Sequence, residues 1–231
     1  MKAALSALCL WNLCLFPARS VGTQTNTGRV EFTILDQATR KPIPCRVHLK
    51  NAGGQPVLAD ALPKWRDHFV CPGKVQMNLP GGSYSFEIER GPEYLPAAGL
   101  FTLFDETNQT MVIELRRVAD LASEGWWSGD LHVHRPLKDI ELLMQAEDLH
   151  VAPVMTWWNN QNQWAKQPLP ANLLVKFDRD RFYHVMAGED EREGGALLYF
   201  NLPEPLGVAG TSREYPSPMK FVEQARPQPG V

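Results

Sequence analysis

The chain has 231 residues, and its 23 lysines and arginines against 26 aspartates and glutamates give a formal net charge of −3. This length suits two modest domains better than one large one. Because no basic run or basic–aromatic interleaving occurs, nucleic acid is not expected as a partner.

The first twenty residues have the pattern of a secretory signal peptide. An apolar stretch covers residues 3–16, and Ala18 and Ser20 then form an A-x-S cleavage signal. The alternative is a membrane anchor, but a bilayer span needs about 20 apolar residues, and Asn12 interrupts this shorter stretch. The sequence therefore predicts a secreted or periplasmic protein without stable membrane insertion after signal cleavage.

Two cysteines, Cys45 and Cys71, follow the predicted signal peptide. Oxidising conditions outside the cytoplasm favour a disulfide between them. Two separate buried thiols are the alternative, and the sequence leaves both open.

Residues 28–118 read as a β-rich domain. Apolar and polar residues alternate in three runs, which contain Val30–Ile34, Val47–Leu49 and Tyr84–Ile88. Turn-forming residues separate these runs, so we predict an antiparallel β-sandwich of six to eight strands. The stretches "TILDQATRKPIPCRVHLKNAGGQPV" and "LPGGSYSFEIERG" resemble the transthyretin-like or carboxypeptidase-regulatory-like sandwiches.

Residues 119–231 change to a strand–helix–strand pattern. Strands are predicted at Leu131–Val133, Val151–Thr156 and Tyr183–Ala187, with an amphipathic helix between the first two. This order predicts a partial α/β domain with a mostly parallel sheet. Because residues 207–231 read as a loop, we expect either a partner that completes the sheet or a chain that is a fragment.

Two histidines separated by one residue are the first candidate metal ligands. In a strand, Asp130, His132 and His134 project from one face, and two such imidazoles can reach one divalent ion at about 2.1 Å. An H-x-H pair is a weak signal in a chain with six histidines, so two surface histidines on an edge strand are the alternative.

Three acidic residues extend this candidate site. Asp139 begins the predicted helix, where it could cap the helix or bind a metal. Glu189 and Asp190 follow an apolar strand, at the end where ligands gather in α/β folds. A solvated acidic loop is the alternative for this pair.

The second half also resembles a known family. The stretches "SGDLHVHR", "DIELLMQAEDLHVAPVMTWWNN" and "FYHVMAGEDEREGG" resemble the opening of a PHP-type metallohydrolase domain, a distorted β/α barrel, and most closely the CehA/McbA group of secreted metal-dependent hydrolases. The resemblance covers about residues 124–205. It implies that His132, His134 and Glu189 are metal ligands and that Asp139 is a further candidate.

One departure from that family limits the expected metal content. Thr156-Trp157-Trp158-Asn159 stands where many PHP domains have T-D-H, so one or two divalent ions (Zn, Mn or Fe) are expected rather than three. His150 and His184 are the other histidines of this half, and a core position is the commoner outcome for His184. The tryptophans at 126, 127, 157, 158 and 164 either pack in the core or line a substrate pocket.

These observations lead to two functional hypotheses. The first is a secreted hydrolase of phosphoester, carboxylic ester or carbamate bonds in a small-molecule or glycan-like substrate. It would use a metal-activated water, with Asp130 or Asp190 moving the proton. The alternative is a non-catalytic two-domain module that binds carbohydrate or a partner.

Overall fold

The computed structural model describes residues 26–227, and the predicted signal peptide lies outside this range. Nine strands make up the first part of the described chain: β1 Thr27–Asp36, β2 Cys45–Asn51, β3 Lys64–Trp65, β4 His68–Cys71, β5 Lys74–Pro80, β6 Gly82–Glu89, β7 Tyr94–Leu95, β8 Ala97–Leu103 and β9 Asn108–Arg117. They form two sheets, in the strand orders β5-β1-β9-β7 and β3-β4-β2-β6-β8.

The two sheets enclose one apolar core. On β1, Val30, Phe32 and Ile34 are fully buried while the residues between them are more exposed, as the alternation predicts. Burying each such side chain stabilises the fold by about 1.5–3 kcal/mol. Cys45 and Cys71 are register partners on β2 and β4, and both are buried thiols in this core.

The second part of the described chain contains one mixed sheet. Its strands are β10 Val151–Trp158, β11 Gln161–Asn162, β12 Leu174–Phe177, β13 Arg181–Arg192 and β14 Gly195–Tyr199, and its helices are α1 Ile140–Ala146 and α2 Met219–Ala225. Strand order is β11-β10-β13-β12, with β14 also paired to β13. Among the strands of this sheet, only β10 and β13 pair in parallel. In the sandwich, β1 and β9 also pair in parallel, so the prediction of a wholly antiparallel sandwich is wrong.

The predicted fold class, a sandwich followed by a partial α/β domain of distorted-barrel type, is wrong. The described residues are mostly β-structure, with two helices of seven residues each, and no α/β barrel is evident among them. A barrel requires a helix after each parallel strand. Here short turns join β12 to β13 and β13 to β14, so both pairs are antiparallel.

Helix α1 packs on the mixed sheet as its periodicity predicts. Ile140 and Met144, one turn apart, pack with Ala152 and Val154 of β10 in a small apolar cluster. The predicted loop at residues 207–231 contains α2, whose Phe221 packs in a separate cluster with Met186. Within residues 26–227, no helix has the length and apolar character needed to cross a bilayer.

A buried aspartate joins the sandwich to the mixed sheet. Asp148 follows α1, and its carboxylate oxygens lie 2.9 Å from Arg90 Nη2, 2.7 Å from Arg181 Nη2 and 2.6 Å from Arg117 Nη2. Arg90 and Arg117 belong to the sandwich side, and Arg181 begins β13. One carboxylate therefore holds three elements that are distant in sequence.

Candidate metal site

The segment that carries the H-x-H pair lies along β10 without forming a regular strand. Gly129 and Val133 make isolated parallel bridges to Val151 and Val154. The strand predicted at residues 131–133 is thus reduced to one bridge, at Val133.

The local contacts of this segment orient both histidines. Asp130 Oδ1 accepts a hydrogen bond of 2.9 Å from the backbone N–H of His132, as in an Asx turn. Val133 packs against the apolar cluster under α1. Its neighbours His132 and His134 therefore face the opposite side, toward β13.

Glu189 supplies the third side chain from the middle of β13. It pairs in register with Leu198 of β14 and is only 2% exposed. A buried carboxylate is costly unless a cation or hydrogen-bond donors compensate its charge. The burial of Glu189 therefore calls for a positively charged or donating partner at its free end.

The two histidines converge on that carboxylate. Glu189 Oε2 lies 3.0 Å from His132 Nε2 and 2.9 Å from His134 Nε2. The two Nε2 atoms are 3.1 Å apart, and the side chains of His132 and His134 are 47% and 36% exposed. Three ligand atoms thus form a nearly equilateral triangle whose outer side is open to solvent.

The triangle has the chemistry and dimensions of a metal site. Imidazole nitrogens and a carboxylate are typical ligands of zinc and related divalent ions, at about 2.0–2.2 Å. Given those bond lengths, two ligands lie about 3.4 Å apart about a tetrahedral ion and about 3.0 Å apart when they are at right angles, and the observed sides are closer to the second value. The spacing of His132, His134 and Glu189 is therefore compatible with one divalent ion, and their role as metal ligands stays a prediction.

Asp139 lies apart from this group. The oxygen and nitrogen atoms of His132, His134 and Glu189 are all within 4.8 Å of one another, and Asp139 is not a member of the cluster. Its side chain also makes no capping hydrogen bond to α1. Asp139 therefore occupies the N-cap position of α1 without a side-chain cap, and it lies outside the cluster of three ligand atoms.

Asp190 faces away from the three ligands because neighbouring residues of a strand point to opposite sides. Its carboxylate lies 2.7 Å from Arg192 Nη2 and accepts hydrogen bonds from Asn159 and Thr211. Burial alone would raise the pKa of Asp190, but these hydrogen bonds and the charge of Arg192 lower it below its ordinary value. Asp190 is therefore a fixed, ionised partner of Arg192.

The remaining histidines of this half are buried elsewhere. His150 Nδ1 lies 2.9 Å from Ser128 Oγ, and its ring meets Trp127 edge-on. His184 Nδ1 accepts a hydrogen bond of 3.3 Å from the backbone N–H of Met186, and burial lowers the pKa of His184. Neither belongs to the cluster of three ligands.

The tryptophans divide between the core and the surface. Trp157 is 1% exposed and packs in the cluster with Met186, whereas Trp126 and Trp127 are 71% and 54% exposed. Trp158 lies edge-on to the ring of His134, with a centroid distance of 4.7 Å. Trp158 thus packs against the ring of His134. The two exposed rings, Trp126 and Trp127, come just before the H-x-H pair in the sequence.

Sequence reasoning missed a second cluster of ligand type, in the sandwich. His48, Asp67 and His68 place one nitrogen or oxygen each within 4.8 Å of the others. Nineteen positions separate His48 from Asp67, and only the pairing of β2 with β4 brings them together. A local motif search has no signal for such a group.

No protein-family model and no curated protein matches the chain. Among solved structures, it is similar to the minor pilin GBS52 of Streptococcus agalactiae (20% identity, 41% of this chain and 46% of that chain, TM-score 0.33). It is also similar to BcpA, the major pilin subunit of Bacillus cereus (18% identity, 40% and 30%, TM-score 0.30). A third is the pilus 2b backbone protein of group B streptococcus (18% identity, 41% and 43%, TM-score 0.32). The chain spans less than half the length of each.

The predicted resemblance to PHP-type metallohydrolases is wrong, and so is the predicted hydrolase function. No family model matches the chain, and the described residues contain no evident α/β barrel, which is the fold that this resemblance implies. Asp130 Oδ1 accepts a hydrogen bond from the backbone N–H of His132, and Asp190 pairs with Arg192, so neither aspartate belongs to the cluster of three ligand atoms.

Proposed function

We propose that this chain is an exported, non-catalytic module that binds one divalent transition-metal ion through His132, His134 and Glu189. The ion would then hold a partner molecule that carries an oxygen ligand. The observation that carries the proposal is the triangle of His132 Nε2, His134 Nε2 and Glu189 Oε2, with sides of 2.9–3.1 Å.

Hydrogen bonds alone account poorly for this triangle. If both Nε2 atoms carry a proton, two N–H groups crowd one carboxylate oxygen while their nitrogens lie 3.1 Å apart. If one Nε2 lacks its proton, that nitrogen and the carboxylate present two lone pairs to each other. A divalent cation accepts a lone pair from all three atoms and compensates the buried charge of Glu189.

The open side of the triangle supports partner binding. Three protein ligands leave at least one coordination position, and the exposed edges of both histidines place it toward solvent. The same stretch of chain exposes the apolar side chains of Trp126, Trp127 and Leu131 to solvent, where a partner could contact them. A partner with an accessible carboxylate beside an apolar group would satisfy both features.

Metal titration of the full chain tests this proposal. After removal of metal with a chelator, Zn²⁺ binding is measured by calorimetry in the wild type and in the His132→Ala/His134→Ala variant. We expect the variant to lose one equivalent of Zn²⁺, because two of three ligands are gone. Equal metal content in the two proteins would contradict the proposal.

A single substitution with a matched control sharpens the same test. Glu189→Gln removes the buried carboxylate and should weaken Zn²⁺ binding at this site at least 10–100-fold. Glu191→Gln makes the same change two residues further along β13, at an exposed position, and should leave the affinity unchanged. A similar loss of Zn²⁺ affinity in both variants would indicate that negative charge near the site, rather than coordination by Glu189, determines the affinity.

Export is proposed from the sequence of residues 1–20. If the A-x-S signal is used, the protein recovered from the medium or periplasm of a bacterial host begins at Val21. Intact mass and N-terminal sequencing measure this directly. Recovery only from the membrane fraction, with Met1 retained, would favour the anchor instead.

A further inference from the structure

A second pair of histidines meets a carboxylate on the outer edge of the sandwich. His68 Nδ1 lies 3.1 Å from Asp67 Oδ1, and His48 Nδ1 lies 3.3 Å from Asp67 Oδ2. The two imidazole rings are tilted, with centroids 4.9 Å apart. Both Nδ1 atoms therefore approach the same carboxylate group, one at each of its oxygens.

The strand pairing brings these three side chains together. Trp65 pairs with His68 across a two-residue turn, so the β3–β4 hairpin places Asp67 at its tip beside His68. β4 pairs in turn with β2, which carries His48. Two histidines on neighbouring strands and one aspartate in a tight turn thus form a compact ligand set, with all three residues partly buried.

A further carboxylate lies behind His48. Glu89 Oε2 is 3.8 Å from His48 Nε2, on the opposite side of the ring from Asp67, and Arg46 holds Glu89 in place through two hydrogen bonds. Metal-binding histidines commonly have such a carboxylate near their other nitrogen.

We infer that His48, Asp67 and His68 form a second divalent-metal site, independent of the proposed site at Glu189. The distances of 3.1 and 3.3 Å match ligands about 2.1 Å from a shared ion. Two imidazoles and a carboxylate select a transition-metal ion such as Zn²⁺ rather than Ca²⁺ or Mg²⁺, which prefer oxygen ligands. The ion would fasten the β3–β4 hairpin to β2.

The position of this cluster links it to the rest of the molecule. His68 and Trp65 line a cleft of about 600 Å³ between the sandwich and the mixed sheet. His134 lines the same cleft from the other side. One histidine of each cluster therefore faces the same cleft.

The number of bound ions in the full chain tests the inference. Metal-free protein is titrated with Zn²⁺ by calorimetry, and the stoichiometry is checked by native mass spectrometry. We expect two equivalents in the wild type and one in His48→Gln/His68→Gln. Asp67→Asn should weaken one equivalent at least 10-fold, and Asp60→Asn, which removes an exposed carboxylate nearby, should change nothing.

The outcomes separate this site from the one proposed above. Loss of one equivalent in His48→Gln/His68→Gln, with a further loss when His132→Ala/His134→Ala is added, supports both sites. Loss only in the first variant supports the sandwich site and contradicts the proposed function. Retention of two equivalents in both His48→Gln/His68→Gln and Asp67→Asn, or one wild-type equivalent that only His132→Ala/His134→Ala removes, overturns the inference.

Discussion

Replacing Asp148 with asparagine is expected to lower the free energy of unfolding by about 3–5 kcal/mol, the usual cost of removing one partner from a buried ion pair. Asp148, Arg90 and Arg181 have side chains that are 3%, 8% and 9% exposed. Without the carboxylate, the buried guanidinium of Arg90 loses its ion-pair partner, and that of Arg181 keeps the exposed Asp178, 3.6 Å from its Nε, as its neighbouring anion. Chemical denaturation followed by circular dichroism measures the loss.

Asparagine is the informative replacement because it removes the negative charge of Asp148 and keeps nearly the same side-chain shape. Asp148 follows α1 with a φ of 56°, a left-handed conformation that asparagine tolerates better than most residues. Asp178→Asn is a matched control, since Asp178 has a φ of 53° and lies 3.6 Å from the same Arg181 but is exposed. We expect the control to cost less than about 1 kcal/mol. Equal losses in both variants would show that burial of the ion pair does not decide the effect.

The periodicity of apolar residues correctly predicts those elements in which the direction of each side chain alone determines whether it is buried. On β1, Phe32 and its alternate neighbours face the core, and Ile140 and Met144 place one face of α1 on the sheet. Side-chain direction alone determines these patterns. They were therefore visible in the sequence before any partner strand was known.

The architecture of the second half was not predictable in this way. Periodicity places strands at residues 151–156 and 183–187, but it does not say which strand pairs with which. Glu193 and Gly194 form a two-residue turn from β13 into β14, which makes that pair antiparallel. The resemblance to PHP-type domains rests on short stretches of sequence and predicted a barrel. The described residues do not form one.

The candidate site was predicted in part. His132 and Glu189 are 57 residues apart in sequence, and the structure brings their side chains to 3.0 Å. Asp190 could not join the same site once Glu189 did, because adjacent strand residues face opposite sides. The three arginines around Asp148 were missed because ion pairs between distant elements leave no local pattern.

Gly188→Ala is expected to cost about 3 kcal/mol, at the upper end for overpacking a core. A Cβ at Gly188 would lie 2.0 Å from Cε2 of Trp157, and two more ring atoms lie within 2.3 Å. Trp157 is buried and donates a hydrogen bond of 3.2 Å from Nε1 to Met186 O, so its ring cannot turn away freely. Because Glu189 is the next residue, Zn²⁺ affinity should also fall at least 10-fold.

Two further variants identify the cause of that loss. Gly194→Ala adds the same methyl group in the turn after β13, where nothing lies within 4 Å, and should change stability by less than about 0.5 kcal/mol. In a Trp157→Leu background, Gly188→Ala should cost less than about 1 kcal/mol, because contacting residues are not additive. If Gly188→Ala still costs near 3 kcal/mol in the Trp157→Leu background, contact with the indole ring does not explain the need for glycine at position 188.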